Sequence, residues 1–315
     1  MPSTIRVGVS TCLLGESVRY DGGHKRDAYL HDVLGKFVEW VPVCPEVESG
    51  LGVPRPPMRL VRHGGAVRMV EIQSGTDRTR AVARWASGRL RSLRALALCG
   101  YVLKKDSPSC GMERVKVYGA GMPQKNGVGI YARALREAFP NLPVEEEGRL
   151  CDPELRENFV ERVFAYARLR ALFHGRWTPA SVVAFHTAHR LQLMAHSPVA
   201  YRELGRRVAA VSGARRGEFR ERYAAAFMAA LARIATRGRN ANVLHHCAGH
   251  LKRALSADSR AELAALIDDY RTGLVPLVVP VTLLRHHVRN HDITYLSGQT
   301  FLSPHPKELM LRNHS

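Results

Sequence analysis

Three cysteines, each placed just after an apolar run or a turn, constrain this chain more than any other feature. Cys12 ends the run that begins at Ile5, and Cys44 ends the run that begins at Phe37. Cys110 follows a lysine-rich turn. Thiols at the ends of parallel strands can meet at one edge of a sheet. Three thiolates around a metal centre leave one coordination position open, and open positions carry out chemistry.

The first half of the chain alternates short β-rich runs with amphipathic stretches. The pattern predicts strands at 5–10, 37–43, 67–72, 95–99, 115–118 and 143–145, and helices at 25–34, 76–93 and 127–138. This alternation is typical of an α/β domain with a mostly parallel sheet.

The pattern changes to a helical period after the segment 140–148, which is rich in proline and glutamate. Helices are predicted at 154–173, 179–195, 198–211, 215–237, 240–255, 256–273 and 278–291. Asp152 followed by Pro153 is a typical helix start. We therefore expect two domains: an α/β domain over 1–150 and an all-α domain over 151–315.

Five segments of the first half resemble the motifs of the TudS-type thiouracil desulfidases. They are Cys12-Leu-Leu-Gly15, Val18-Arg-Tyr-Asp-Gly22, Pro42-Val-Cys-Pro-Glu46, Gly50-Leu-Gly-Val-Pro-Arg55 and Ser107-Pro-Ser-Cys-Gly111. The resemblance implies a 4Fe–4S cluster held by three cysteines, Cys12, Cys44 and Cys110. It also implies that the open iron takes the sulfur of a thiocarbonyl substrate, and that Glu46 and Ser107 assist catalysis.

Two other interpretations of the cysteines stay open at this point. The three could be unrelated buried thiols, or they could form a zinc site with a histidine as the fourth ligand. Of the remaining cysteines, Cys99 is expected to be a buried core thiol. Cys151 and Cys247 match no ligand position of the family.

Glu46 lies two residues past Cys44, where its carboxylate could take a proton from an attacking water. The alternatives are a surface glutamate or a helix cap, and Glu48 is a competing carboxylate. Ser109 is a second candidate beside Ser107, although a serine before proline is also common in turns.

The loop after Cys12 could contact substrate. Tyr20 could stack on a pyrimidine and Arg19 could meet a phosphate, although Asp21-Gly22 also predicts an ordinary turn. Lys104 and Lys105 lie close in sequence to Ser107 and could receive backbone phosphate.

The charge of the chain favours a polyanionic partner. With 47 basic and 28 acidic residues the net charge is +19, and the pI is about 10.3. One arginine-rich stretch covers 78–94, and a second covers 202–222 and contains Arg206, Arg207, Arg215 and Arg216. A solvated helix face, or a composition that simply favours arginine, is the alternative interpretation of each.

The second half resembles the YbgA-like helical domain that is often fused behind a desulfidase module. The resemblance lies in the segments 185–198, 240–252 and 295–299. Histidine pairs such as His186/His189 and His246/His250 could share helix faces. They lack the other ligands of a known metal motif, so core or RNA-contacting histidines are expected.

The fusion resembles the RudS-type tRNA 4-thiouridine desulfidases, and together with the charge it predicts a hydrolytic desulfidase of thiolated tRNA. A desulfidase of free thiouracil or other thiopyrimidines, and a non-catalytic RNA-binding or redox-sensing iron–sulfur protein, are the alternatives. No secretory signal is recognisable, and the apolar run 274–284 is too short to cross a bilayer. We therefore expect a cytoplasmic protein without membrane contact, and the sequence leaves its oligomeric state open.

Overall fold

A computed structural model describes residues 4–314 of the chain. It divides into two compact units, Met1–Cys151 and Asp152–Ser315. The strands of the first unit are β1 Arg6–Ser10, β2 Glu39–Val43, β3 Met58–His63, β4 Ala66–Glu71, β5 Gly100–Leu103, β6 Val115–Tyr118, β7 Gln124–Gly127 and β8 Val144–Glu146. Its two longer helices are α1 Thr79–Ala95 and α2 Ile130–Ala138.

A parallel four-stranded sheet with the order β2-β1-β5-β8 organises the first unit. Val7 of β1 lies opposite Trp40 of β2 and Gly100 of β5, and Tyr101 lies opposite Val144 of β8. Every residue of β5 is buried, as is usual for a central parallel strand covered on both faces. The predicted α/β fold with a mostly parallel sheet is confirmed.

A second four-stranded sheet, β4-β3-β6-β7, is mixed and was not predicted as a separate layer. Only β3 and β6 pair in parallel, and the two outer strands are antiparallel. The predicted strand at 95–99 is wrong. Residues 95–97 end α1 and form a turn in which Ala97 has a positive φ of 58°, and the strand begins at Gly100.

The predicted helix at 25–34 is also mostly wrong, since only short helical turns form at Tyr29–Val33 and Leu34–Lys36. Helix α1, in contrast, has the expected apolar stripe. Its residues Val82, Ala86, Leu90 and Leu93 recur at helical spacing and are buried. Several arginines of the 78–94 stretch lie on its solvent face.

The second unit is helical. Its helices are α3 Pro153–Leu172, α4 Pro179–His196, α5 Pro198–Ala209, α6 Arg216–Leu231, α7 Arg237–Leu251, α8 Ala257–Thr272, α9 Val278–Asn290 and α10 Thr294–Ser297. Five of them begin at a residue whose side chain accepts a hydrogen bond from the first turn, namely Asp152, Thr178, Ser197, Thr236 and Ser256. The predicted all-α domain is confirmed, with the boundary between α6 and α7 earlier than expected because Thr236 caps α7. Within residues 4–314, none of the helices combines the length and apolar character needed to cross a bilayer.

Gly8 of β1 allows the closest approach in the parallel sheet. A Cβ atom at this position would lie 2.2 Å from Cδ2 of Tyr101. The Tyr101 ring is fully buried, and its hydroxyl accepts a hydrogen bond from Tyr131 at 3.2 Å. The ring therefore has no free space into which it could move.

Replacement of Gly8 by alanine tests this packing. We expect Gly8→Ala to lower the free energy of unfolding by about 1–3 kcal/mol, the usual cost of overpacking. Urea unfolding followed by circular dichroism measures this change. Gly88→Ala is the control, because no atom lies within 4 Å of a Cβ there and alanine in a helix stabilises by about 0.5–1 kcal/mol relative to glycine. Equal stability of Gly8→Ala and the wild type would contradict the packing described.

Candidate functional site

The carboxyl ends of β1, β2 and β5 bring the three cysteines of the motifs to one place. Cys12 lies in the helical turn directly after β1, Cys44 directly follows β2, and Cys110 ends the loop after β5. All three line one cavity of about 430 Å³. Because the strands are parallel neighbours, their ends share one edge of the sheet, as expected from the sequence.

Cys110 is buried and Cys12 and Cys44 are partly buried, and burial is the main influence on the pKa values of the three thiols. It raises the pKa of Cys12 to about 11, with nearby Cys44 adding to the rise. Burial also raises the pKa of Cys44 and of Cys110. The thiols are therefore held in the protonated form near neutral pH, and a metal centre that bound them would displace their protons.

The three cysteines supply an all-sulfur donor set of the kind that iron–sulfur clusters take. Across residues 4–314, no three Cys, His, Asp or Glu side chains are grouped so that they could hold one metal ion. A 4Fe–4S cluster would be held by the thiolates of Cys12, Cys44 and Cys110. Of the described residues, no histidine lines the cavity.

The other cysteines lie away from this cavity. Cys99 is buried before β5 and donates to the Ala97 carbonyl at 3.6 Å. Cys247 is buried in the apolar core of the second unit, and Cys151 is exposed. These positions agree with the expectation that Cys99 is a core thiol.

Glu46 lies in the cavity wall and is held by a buried arginine. Arg55 donates to Glu46 Oε2 from Nη2 at 2.5 Å and from Nε at 2.8 Å. The Arg55 side chain is 4% exposed and that of Glu46 is 13% exposed. Arg55 also donates to the carbonyls of Val18 and Gly52, so it ties the carboxylate to two loops. In the sequence, Arg55 stands out only as the last residue of one motif segment, and nothing there predicts its partner.

The serine that contacts Glu46 directly is Ser109. Its hydroxyl donates to Glu46 Oε1 at 2.7 Å, whereas Ser107 Oγ lies 3.5 Å from the same oxygen. Ser107 Oγ instead accepts from the amides of Ser109 and Cys110. Ser107 therefore has the turn-forming contacts that the sequence left open, and the two hydroxyls lie 3.0 Å apart.

Glu48, the competing carboxylate, is used elsewhere. Its Oε1 accepts from the amide of Cys44 at 2.9 Å, and its Oε2 pairs with Arg89 at 3.2 Å. Glu48 therefore caps the turn that carries Cys44, and it is absent from the residues that line the cavity.

The predicted substrate contacts also line the cavity. Tyr20 is exposed, and the Arg19 guanidinium lies 5.5 Å from the centre of its ring. Lys104 pairs with Glu147, which follows β8. Lys105 is exposed, so of the two lysines it is the one available to a phosphate.

The four arginines predicted for nucleic acid are exposed in the second unit. Arg206 and Arg207 lie in α5, and Arg215 and Arg216 lie at the start of α6. The Arg216 guanidinium lies 5.6 Å from the centre of the Trp177 ring. In the first unit, Arg78 and Arg89 of the basic stretch form ion pairs with glutamates.

The first histidine pair belongs to the core. His186 Nδ1 lies 3.1 Å from the Tyr223 hydroxyl, and His189 Nδ1 lies 2.7 Å from the Phe185 carbonyl oxygen. Burial lowers the pKa of His186 to about 4 and that of His189 to about 3. Both rings are therefore neutral near pH 7.

Comparison with known proteins gives two family matches. The model of the 2-thiouracil desulfurase family matches residues 7–147. The model of DUF1722, a family of proteins of unknown function, matches residues 190–306.

Individual relatives cover each half. The uncharacterised protein YbgA of Escherichia coli strain K12 is 30% identical over 153 residues, which are 48% of this chain and 90% of YbgA. The uncharacterised protein YbbK of Bacillus subtilis strain 168 is 27% identical over 144 residues, 44% of this chain and 95% of YbbK. A solved structure of the 4Fe–4S-dependent thiouracil desulfidase TudS shares 34% sequence identity with this chain. The match covers 50% of this chain and 99% of the TudS chain, with a TM-score of 0.41. Because the chain covers 90% of YbgA at 30% identity, it belongs to the YbgA family, and its residues 7–147 form a 2-thiouracil desulfurase domain.

Proposed function

We propose that the chain is an iron–sulfur-dependent desulfidase that replaces the sulfur of a thiouracil ring by oxygen from water. The convergence of Cys12, Cys44 and Cys110 on one cavity carries this proposal, together with the 2-thiouracil desulfurase family. The balanced reaction converts thiocarbonyl and water to carbonyl, hydrosulfide and a proton. No electron is gained or lost overall.

The three thiols fit a 4Fe–4S cluster, the cofactor that the family resemblance implies. When bound, such a cluster would supply an iron without a protein ligand, a Lewis acid that would make a thiocarbonyl carbon more electrophilic. The cavity of about 430 Å³ lies within the usual range for small-molecule sites, and a pyrimidine ring can enter it.

The side chains beside the cysteines can accept the proton of the attacking water. Glu46 Oε1 accepts a hydrogen bond from the Ser109 hydroxyl at 2.7 Å, so Ser109 can take a proton from water as it gives its own to the carboxylate. Arg55 balances the charge of Glu46 and fixes its orientation. The family assigns this role to Ser107, whereas the contacts favour Ser109, with Ser107 holding the turn.

The physiological substrate that we propose is 4-thiouridine in tRNA. The net charge of +19 and the exposed Arg206, Arg207, Arg215 and Arg216 support a polyanionic partner. The exposed Tyr20, with Arg19 beside it, could stack on a nucleotide at the cavity mouth. Free thiouracil is the second candidate, and the name of the matched family favours it.

Cluster assembly is the first test. We expect Cys12→Ala, Cys44→Ala and Cys110→Ala each to abolish the visible absorbance and the iron and sulfide content of protein prepared without oxygen, because each removes an iron ligand. Cys99→Ala, Cys151→Ala and Cys247→Ala are matched controls and should keep the full content. A complete cluster in any of the first three variants would exclude that cysteine as a ligand.

Proton transfer is the second test. Glu46→Gln should keep the cluster and lower the turnover of 4-thiouracil roughly 10²-fold or more, the usual effect of losing a positioned general base. Ser109→Ala should impair turnover more than Ser107→Ala does, because of the two serine hydroxyls only that of Ser109 lies within 3 Å of the Glu46 carboxylate. The opposite order would return the role to Ser107, and normal turnover in Glu46→Gln would rule out Glu46 as the base.

The third test concerns tRNA. Replacement of Arg206, Arg207, Arg215 and Arg216 by glutamine should weaken tRNA binding and flatten its salt dependence, because each lost phosphate contact removes about one released counterion. Turnover of free 4-thiouracil should stay at the wild-type rate, since the cysteines and Glu46 lie in the first unit. Unchanged tRNA affinity and salt slope would argue against these arginines and in favour of a free thiopyrimidine substrate.

A further inference from the structure

An open groove of about 820 Å³ runs along α4 and α5 in the second unit. The two helices are connected through Ser197 alone, which ends α4 and caps α5 by accepting from the Ala200 amide. The sharp connection leaves one face of each helix open to solvent. The groove is lined by Val183, His186, Thr187, Arg190, Val199, Tyr201, Arg202, Glu203, Gly205, Arg206 and Val208.

Cationic side chains dominate this groove. Arg190, Arg202 and Arg206 line it, and among its described residues Glu203 is the only carboxylate. Arg202 and Arg206 are exposed, and Arg190 is partly exposed. A positive groove on a chain of charge +19 attracts a polyanion and loses affinity for it as salt rises.

The same groove offers flat and apolar surface. Val183 is 46% exposed and Val199 is 57% exposed, and both line the groove. Arg190 Nη2 donates to the Tyr201 hydroxyl at 2.7 Å, and the guanidinium lies 5.6 Å from the centre of the ring. The ring is therefore fixed in place beside a positive charge.

A further group of rings lies on α7 and α10 of the same unit. The His250 ring lies 4.7 Å from that of Tyr295 and 5.2 Å from that of His246. Burial, followed by the charges of His250 and Arg190, lowers the pKa of His246, so its imidazole is neutral near pH 7 and suited to ring contacts.

We propose that the α4–α5 groove binds an unpaired stretch of RNA, with bases against Tyr201 and the valines and phosphates on Arg190, Arg202 and Arg206. The inference rests on the proposed function in taking RNA as the partner, and it adds that the helical unit recognises unpaired nucleotides. Aromatic rings interleaved with arginines are the usual construction of sites for single-stranded nucleic acid.

The observations favour this ligand over two others. A base-paired RNA hides the faces of its bases and would leave Tyr201 and the valines uncovered. An acidic peptide could pair with the arginines, but its carboxylates bring no flat ring to Tyr201. Of the three ligands, only unpaired nucleotides match both the arginines and the apolar surface around Tyr201, because each nucleotide carries a phosphate and an exposed base.

The test measures binding of fluorescently labelled RNA to the full chain by anisotropy. The probes are an unmodified oligouridine of about twelve nucleotides, a matched hairpin with a fully paired stem and a polyaspartate peptide. We expect the oligouridine to bind about tenfold or more tightly than the hairpin. The double variant Arg190→Gln/Tyr201→Ala should lose about tenfold or more of the oligouridine affinity.

Two kinds of control accompany this variant. Arg253→Gln/Arg289→Gln removes two exposed arginines from α7–α9 outside the groove and should keep most of the affinity. Gly205→Leu places bulk in the groove while every charge remains, since a Cβ there meets only His186 Nε2 at 3.9 Å, and it should also weaken binding. Ultraviolet crosslinking of the wild-type chain to oligouridine should label the peptides that contain Tyr201 or Tyr295, which tests the site without any variant.

The proposal is overturned if the hairpin binds better than the oligouridine, if both groove variants bind like the wild type, or if crosslinks lie only outside α4, α5, α7 and α10. Tighter binding of polyaspartate than of oligouridine would assign the groove to an acidic protein instead. Turnover of free 4-thiouracil separates the two proposals. A groove variant that loses RNA affinity but keeps turnover has lost only RNA binding by the groove. A wild-type chain that binds oligouridine in the groove but converts no thiouracil would contradict the proposed function, whereas the proposal for the groove would stand.

Discussion

Parallel pairing of β1 with β2 and β5 is the constraint on which the candidate site depends. Because the strands run in the same direction and in fixed register, their carboxyl ends lie side by side, and three residues far apart in sequence reach one cavity. The fit between Gly8 and the Tyr101 ring allows this part of the sheet to close. The loops after the strands then supply thiols, a carboxylate and hydroxyls, while the buried strands supply rigidity.

The charged network around Glu46 is the second element that organises the site. A buried carboxylate without partners is costly, and here Arg55 and Ser109 satisfy its two oxygens. Arg55 also binds carbonyls of the Val18 and Gly52 loops, so one side chain links three segments of the cavity wall. These contacts fix the position of the Glu46 carboxylate in the cavity wall.

Much of this architecture could be predicted from the sequence, and the failures have physical reasons. The apolar runs predicted most strands of the parallel sheet, and caps such as Asp152 predicted helix starts. The sequence does not predict strand β3, because its charged residues interrupt the apolar alternation. The predicted strand at 95–99 fails because α1 continues to Ala95. The cysteines could be selected by their motifs, but the Glu46–Arg55 pair and the contact with Ser109 arise only when distant loops fold together.

The most direct measurement of the central claim is turnover of 4-thiouracil in ¹⁸O-labelled water by the iron-loaded chain without oxygen. Our account predicts that the uracil formed carries one solvent oxygen and that hydrosulfide appears in equal amount, with no added reductant or oxidant. Product without the label, or no conversion by protein that carries a full cluster, would contradict it.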